Sequence, residues 1–215
     1  MSQIITRDAI VEAAIAIGDE KGLERVSMRA VAGRLGVQAM SLYHHVRNKA
    51  ELLDAIHEHL ILELTLPTES PTWEAALRSA AGAYRALALR HPNLFVLVAT
   101  RPISTPAEIA HIAPTLMVFD EAGIPPEQQL FSVQSFFCAL NGYLLAEVAP
   151  TPGHAEVPDS PIPVPPEGAP SVLTLLASLD GQQPSGTAGE NFLAASFDAF
   201  VDVFLTGLAE RLGEP

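Results

Sequence analysis

Residues 25–50 read RVSMRAVAGRLGVQAMSLYHHVRNKA, and this stretch decides the fold. Two short segments with helical periodicity meet at Gly36, and glycine readily adopts the left-handed conformation that a tight turn requires. The stretch contains no aspartate or glutamate, but it holds five basic residues: Arg25, Arg29, Arg34, Arg47 and Lys49. Two short helices with a basic surface are typical of a helix-turn-helix that docks on DNA.

The basic stretch stands out because the chain as a whole is acidic. The 215 residues include 12 Lys+Arg and 25 Asp+Glu, a net charge of −13. Residues 1–60 carry 7 basic and 8 acidic side chains, whereas the remaining 155 carry 5 and 17. A polyanion would therefore be attracted only by the N-terminal part, which predicts two functional modules.

Composition excludes several classes of protein. A hydrophobic content of 48% allows a sizeable core and rules out global disorder. The single cysteine, Cys138, excludes an intrachain disulfide and a cysteine-based zinc site, and its apolar surroundings predict burial. The N-terminus lacks the pattern of a signal peptide. Residues 128–146 are uncharged but carry six amide or hydroxyl side chains, too many for a lipid-facing span. We therefore expect a cytoplasmic protein without a membrane partner.

Capping residues predict where the helices begin and end. Thr6 and Ser27 are suited to cap the first two helices, and Asn48, with Glu51 three residues later, opens a fourth. Thr105-Pro106-Ala107-Glu108 combines an N-cap, a proline at the first helical position and a capping-box glutamate. The predicted helices are 6–21, 27–35, 38–45, 49–64, 72–91, 93–99, 105–123, 126–148, 171–179 and 190–212.

No strand pattern of comparable length is present, so the sequence predicts an all-α fold. We expect a helix-turn-helix head at 1–48, a linking helix at 49–66 and a C-terminal domain at 67–215. Val31, Leu35, Leu42 and Val46 should hold the head together. Residues 150–170 contain eight prolines and are expected to form a loop of polyproline character. Residues 181–189, GQQPSGTAG, are expected to be a flexible connection.

The predicted helices at 126–148 and 190–212 are apolar on more than one face. One face is enough for packing within the subunit, so the second needs another partner. Deep burial in a monomer is one interpretation. Homodimerisation through these two helices is favoured, since a two-fold DNA reader needs two copies at a fixed spacing.

The segment SMRAVAGRLGVQAMSLYHHVRNKAELLDAI, residues 27–56, resembles the DNA-binding signature of the tetracycline-repressor (TetR) family. The resemblance covers roughly residues 6–60, and the pattern LGV…LY.HV.NK.ELL is highly specific. The C-terminal part is more weakly similar to the tetracycline repressor's own subclass, through ATRP at 99–102 and the long loop before the last helices. The resemblance implies a two-fold dimer, an operator-binding head and a ligand-binding core closed by a four-helix bundle.

The resemblance places the third helix, 38–45, in the major groove of a double-stranded operator. Its first four residues would face base edges and its last three the sugar-phosphate backbone and flanking bases. Lys49 would contact phosphate, and Arg29 a base edge or the backbone. Arg25, Arg34 and Arg47 could instead form a solvated face, and Tyr43 could be a core aromatic. The implied DNA-binding residues are Ser27, Met28, Arg29, Gln38, Ala39, Met40, Ser41, Tyr43, His44, His45 and Lys49.

Ala39 departs from the tetracycline repressor, which has a base-reading glutamine at this position. Alanine can contact a thymine methyl but cannot form a bidentate hydrogen-bond pair. The resemblance therefore implies a different operator, read more through methyl contacts and DNA shape.

Two further departures concern the effector. Leu97 and Thr65 occupy the positions of two drug-binding histidines of the tetracycline repressor, which argues against tetracycline and against a metal-dependent effector. His57 and His59 diverge by about 200° around a helix, so no metal site and no cofactor are expected. The core should bind a small, hydrophobic effector. The candidate effector-binding residues are Tyr84, Phe95, Thr100, Arg101, Phe119, Gln134, Phe137 and Asn141.

Four alternatives remain open at the level of sequence. The chain could be an activator or a regulator that responds to no effector. It could also be a helical small-molecule-binding protein or hydrolytic enzyme. No catalytic arrangement occurs in a recognisable context, and Ser41, His44 and His45 lie on the predicted recognition helix, so the sequence predicts a regulator rather than an enzyme.

Overall fold

The computed structural model describes residues 5–148 and 188–213, which form nine α-helices and no strand. These residues belong to two compact units, 1–149 and 150–215. The all-α prediction is confirmed. The helices are α1 Arg7–Lys21, α2 Met28–Leu35, α3 Ala39–Leu42, α4 Lys49–Leu62, α5 Trp73–Arg90, α6 Phe95–Thr100, α7 Pro106–Glu121, α8 Pro126–Val148 and α9 Ala188–Leu212.

The first two helices begin where the capping residues predict. Thr6 Oγ1 accepts a hydrogen bond from Ala9 N at 3.1 Å, and Ser27 Oγ accepts one from Ala30 N at 3.2 Å. Each bond satisfies a backbone donor that has no partner inside the helix. Gly36 ends α2 with φ 67° and ψ 29°, the left-handed conformation expected of the turn.

Helix α3 is shorter than predicted. It covers Ala39–Leu42 rather than 38–45, with Gln38 in extended conformation before it and residues 43–45 forming a turn after it. The helix ends at Leu42 because two residues shortly after it, Val46 and Asn48, require positions that a continued helix would not give them. Val46 is fully buried in the head, and Asn48 must be extended, at φ −162°, to cap α4.

The head has an apolar centre built from α1, α2, α3 and the start of α4. Ile10, Val31, Leu42 and Val46 are fully buried there. Leu35, which the sequence predicts to point inward, is only half-buried at the end of α2. The four fully buried aliphatic side chains come from α1, α2, α3 and the segment before α4.

Helix α4 links the head to the core. Asn48 Oδ1 accepts from Glu51 N at 2.9 Å, as the capping pattern predicts, but Glu51 Oε2 accepts from Arg47 N rather than from Asn48 N. The helix contacts α1 on one side and α6 and α7 on the other. Leu52 and Leu60, both fully buried, lie on its inner face.

The core of the first unit is formed by α5 to α8. Helix α7 begins with the complete predicted capping box of Thr105 and Glu108. Trp73 stacks on Phe119 with ring centroids 5.5 Å apart, which fixes α5 against α7. The guanidinium Nε of Arg85 in α5 donates to both carboxylate oxygens of a glutamate in α8, Glu147, at 3.0 and 3.1 Å.

Helix α8 has one buried row and several exposed apolar residues. Its buried row is Ser132, Phe136, Leu140 and Leu144, at a spacing of four. Cys138 is exposed, so the predicted burial of this residue is wrong. The reason is geometric, since a residue two positions from Phe136 and Leu140 lies about 200° around the helix from the buried row.

Helix α9 starts at Ala188, two residues earlier than predicted. Phe197, Val201, Leu205 and Leu208 form its buried row, while Val203 is 75% exposed. The proline-rich loop at 150–170 and the short helix at 171–179 lie outside the described residues, as does the connection at 181–187. Within the described ranges, no helix combines the length and hydrophobicity needed to cross a membrane.

Candidate functional site

The basic residues of the head fall into two groups. Three of the five arginines and lysines of residues 25–50 have carboxylate neighbours: Arg25 with Glu24, Arg34 with Glu20 and Arg47 with Glu51. Arg29 and Lys49 are exposed and form no ion pair within residues 5–148 and 188–213. These two cations are therefore free to bind an external anion.

The pair between Arg34 and Glu20 has the shortest contact of the three, at 2.8 Å. Both guanidinium NH groups donate to the carboxylate, at 2.8 and 2.9 Å. These hydrogen bonds hold the pKa of Glu20 below its usual range, so the carboxylate is ionised and offsets the charge of Arg34 at neutral pH. Because Glu20 of α1 pairs with Arg34, the charge of Arg34 is used within the head and is not free for an external anion.

The predicted recognition helix presents an apolar and aromatic surface. Met40 is 71% exposed and Tyr43 45% exposed, so the alternative of Tyr43 as a core aromatic is wrong. Gln38, His44 and His45 are exposed as well, while Ala39 and Ser41 are half-buried. Arg29 and Lys49 lie on the adjoining helices α2 and α4.

Two of the implied DNA-binding residues have roles inside the head. Met28 is 7% exposed, because its side chain packs into the apolar centre, and it offers little surface to DNA. Ser27 uses its hydroxyl to cap α2. Both residues position α2, and with it Arg29.

The core contains a cavity of about 260 Å³ between α4, α5, α6, α7 and α8. Its wall is mostly aliphatic and aromatic. Five of the eight candidate effector residues line it: Tyr84, Arg101, Gln134, Phe137 and Asn141.

Tyr84 organises one side of the cavity. Its hydroxyl donates to Asn141 Oδ1 at 2.8 Å, and Asn141 Nδ2 donates to the carbonyl oxygen of Ala99 at 3.2 Å. Its ring meets the edges of Phe95 and Phe137 at centroid distances of 5.2 and 5.6 Å. Burial raises the pKa of Tyr84 far above its usual range, so the phenol stays neutral and remains a donor.

The other three candidates lie away from the cavity. Phe95 is buried behind Tyr84, and Phe119 is buried against Trp73. Thr100 is exposed and donates its hydroxyl to the carbonyl oxygen of Val96, four residues earlier in α6. The presence of an aromatic ring or a hydroxyl group does not tell from sequence whether a residue lines the cavity or packs behind it.

His57 lines the cavity, although its position in the sequence pointed only to a possible metal ligand. It is 2% exposed, and its Nδ1 lies 2.6 Å from Oε1 of Glu108, which is fully buried. Ile61, four residues further along α4, and Leu64, just after the end of the helix, line the same cavity. That helical spacing was the one sequence signal for His57, because its partner is 51 residues away.

Glu108 is both a helix cap and the partner of His57. Burial raises the pKa of this carboxyl, but hydrogen bonds from Ser104 N and Thr105 N, both at 2.8 Å, and from His57 outweigh burial. The net result is a pKa below the usual range. Glu108 is therefore an ionised carboxylate inside the core, stabilised by three donors.

Two more polar contacts fasten α4 and the residues just after it to the elements around the cavity. Arg101, after the end of α6, binds Asp54 of α4, and His111 of α7 lies with Nε2 2.9 Å from the carbonyl oxygen of Leu64. Among the described residues, no three histidine, cysteine or acidic side chains are grouped as a metal site. The cavity is thus bounded on one side by the helix whose first residue is Lys49.

Comparison with known proteins agrees with this arrangement. The family of bacterial regulatory proteins called the tetR family matches residues 10–56, and the tetracyclin repressor-like C-terminal domain matches residues 66–162. Tetracycline repressor protein class E from Escherichia coli is 30% identical over 151 residues, which cover 67% of this chain and 70% of that protein. The chain belongs to the TetR family. Its head and its core therefore each match a domain of this family.

Two further likenesses extend the comparison to a repressor and to a solved structure. The TetR-family chain is 34% identical over 147 residues to the HTH-type transcriptional repressor DrrR1 of Streptomyces coeruleorubidus. The match covers 66% of this chain and 52% of DrrR1, so the chain spans about half the length of that relative. ActR from Streptomyces coelicolor, solved in complex with actinorhodin, has the same fold, with a TM-score of 0.74 at 24% identity over 98% of this chain and 100% of ActR.

Proposed function

We propose that this TetR-family chain is a transcriptional repressor. It binds a palindromic operator as a homodimer and is released when a small, mainly hydrophobic effector enters the core cavity. The observation that carries the proposal is the position of α4, which begins with the exposed Lys49 and lines the cavity through His57 and Ile61. One helix thus connects the surface proposed for DNA to the space proposed for the effector.

The DNA-binding part of the proposal rests on charge and exposure in the head. Arg29 and Lys49 are uncompensated, and Lys49 stands at the start of α4, where the helix dipole also favours an anion. The surface of α3 between them, with Gln38 and Met40 exposed, would meet base edges. The acidic remainder of the chain would be repelled by DNA, which restricts contact to the head.

The dimer is proposed to form through the helices at 126–148 and 190–212. Leu130 and Phe131 of α8 are 69% and 46% exposed, and Val203 of α9 is 75% exposed. Burying these side chains against a second copy would remove apolar surface from water. A two-fold dimer would also place two heads on half-sites one helical turn apart, about 34–36 Å.

The effector part of the proposal rests on the cavity. A mostly apolar cavity with few polar groups is typical of a small-molecule site. ActR, whose fold this chain shares, has been solved with actinorhodin bound. Release requires that the effector favour the conformation whose heads do not fit the operator. Such a regulator would act in the cytoplasm, where operator DNA is accessible.

The test begins by selecting binding sites for the full chain from random DNA duplexes. We expect enrichment of a palindrome whose affinity falls steeply with salt. A transcriptional reporter under that sequence should be repressed, and hydrophobic compounds that bind the cavity should weaken operator binding by about 5–150-fold. Absence of any enriched sequence, or enrichment of a single unpaired half-site, would contradict the proposal.

A further inference from the structure

Two residues on the cavity wall carry buried polar atoms that have no hydrogen-bond partner among the described residues. These atoms are Nε2 of His57 and Oγ1 of Thr115, a residue 5% exposed. A third such atom, Ser132 Oγ, belongs to a residue that does not line the cavity. Because buried polar atoms are nearly always paired in folded proteins, two unpaired atoms on one apolar wall indicate a ligand that pairs with them.

The surroundings of His57 decide which kind of partner its Nε2 would take. Glu108 is ionised and accepts from Ser104 N, Thr105 N and His57, so the proton on the histidine ring resides on Nδ1. In the neutral ring, Nε2 then presents a lone pair. Its natural partner is a ligand group that donates a hydrogen bond.

The rest of the wall favours a neutral ligand with an aromatic body. The one cationic side chain on the wall that is described, Arg101, already binds Asp54, so no free cation is present to receive a carboxylate. Tyr84 and Phe137 contribute aromatic surface. The volume, about 260 Å³, lies below the range of about 300–1,000 Å³ that is usual for drug-sized ligands, which suits one or two rings.

We propose that the cavity binds a small hydroxyaromatic compound whose hydroxyl donates to Nε2 of His57 and accepts from Oγ1 of Thr115. Glu108 is a positioning residue, because it holds the His57 proton on Nδ1 and so keeps the acceptor toward the ligand. The inference deepens the proposed effector role and rests on it only for the effect on DNA.

The test compares 2-naphthol with 2-methoxynaphthalene, which has the same ring system but no hydroxyl donor. Titration calorimetry on the full chain without DNA should show 2-naphthol binding about tenfold more tightly, the order of magnitude of one buried hydrogen bond. His57→Asn retains an amide N–H for Glu108 but lacks Nε2, so the preference should fall to about one. The matched control is His59→Asn, which changes the half-buried histidine beside Glu63 on another face of α4 and should keep the tenfold preference.

Thr115→Val provides a second variant that does not touch the buried ion pair. Both probes have an oxygen that can accept from Thr115, so this variant should weaken both by several-fold. It serves as the decisive variant if His57→Asn fails to fold, which its thermal unfolding would reveal. Equal affinities of the wild type for the two probes would overturn the inference, as would absence of 2-naphthol binding, a preference that survives in His57→Asn, or unchanged affinities in Thr115→Val.

Operator binding separates this inference from the proposed function. If 2-naphthol binds with the expected preference and leaves operator affinity unchanged, the ligand class stands and its effector role is wrong. If the selected operator is bound but 2-naphthol is not, the repressor proposal stands and the hydroxyaromatic ligand is wrong.

Discussion

Nδ1 of His91 lies 2.9 Å from Oδ2 of Asp19, and its Nε2 lies 3.3 Å from Oε2 of Glu63. Asp19 belongs to α1, Glu63 follows α4, and His91 follows α5. One imidazole ring therefore joins the head, the linking helix and the core. Next to it, Leu94 packs against Gly18 of α1, where a Cβ atom would overlap the leucine side chain.

His91→Leu should lower the free energy of unfolding by roughly 1–3 kcal/mol, because two carboxylates lose a buried partner. Urea denaturation followed by circular dichroism measures this change. His44→Leu, in an exposed position of the head, is the control and should change stability little. Equal effects of the two substitutions would show that His91 does not fasten the head.

Glu108 should make stability depend on pH in the acidic range. Its pKa is lowered in the folded state, so the folded protein holds this proton less tightly than the unfolded chain does. The stabilisation is present above the ordinary carboxyl pKa of 4.5 and is lost as pH falls through the lowered folded-state value. Glu108→Gln should destabilise the protein at pH 7, and the difference from wild type should shrink on acidification below 4.5.

Urea denaturation at a series of pH values tests this expectation. Glu127→Gln is the matched control, because Glu127 is an exposed residue in the first turn of another core helix. This control should be near neutral at every pH. A wild-type advantage over Glu108→Gln that does not change with pH would contradict the assigned charge of Glu108.

Arg29→Ala and Lys49→Ala should each weaken DNA binding and reduce the slope of log affinity against log salt by about one, provided that each contacts phosphate. A contact of Arg29 with guanine would instead relax base preference at one position of the site. Fluorescence anisotropy with the selected duplex at several salt concentrations measures both effects. Arg34→Ala is the control, since Glu20 already neutralises Arg34, and it should leave the slope unchanged.

Phe131→Glu should dissociate the proposed dimer, because it would bury a carboxylate in an apolar contact of α8. Sedimentation analysis over a range of protein concentrations measures the association. Met117→Glu, at a 57% exposed position of α7, adds the same charge outside the proposed interface and should leave the assembly intact. Dissociation by both substitutions to the same degree would argue against α8 as the interface.

Cys138 supplies an independent measure of the same surface. It is exposed in the single chain, on the side of α8 away from the buried row, and it is the only cysteine in the sequence. A thiol reagent should label it slowly in the dimer and rapidly on dilution or in Phe131→Glu. Rapid labelling of the assembled dimer would place the interface elsewhere.

The starts of α1, α2 and α4 were predictable because their signals are local. Thr6, Ser27 and Asn48 are caps whose partners lie three residues away. Gly36 adopts the left-handed conformation that the turn after α2 requires and that glycine allows. The end of α3 was not predictable in this way. It depends on the burial of Val46 in a centre assembled from four separate segments.

The cavity was predictable only in part. Five of the eight candidates line the cavity: Tyr84, Arg101, Gln134, Phe137 and Asn141. Phe95 and Phe119 have the same residue type as Phe137, yet packing places them behind the wall. His57 was missed because its hydrogen-bond partner, Glu108, is 51 residues away. The sequence indicated Glu108 only as the capping-box residue of α7.

The sequence by itself determined the helices, the acid-free basic stretch and the family, since these follow from periodicity, capping and charge over short distances. Tertiary structure alone decided which basic residues remain free, because Glu20 neutralises Arg34 from a helix 14 residues away. It also decided that His57 and Thr115 present unpaired polar atoms to one cavity. Burial and pairing of this kind depend on which helices meet, and the residues that meet are far apart in the chain.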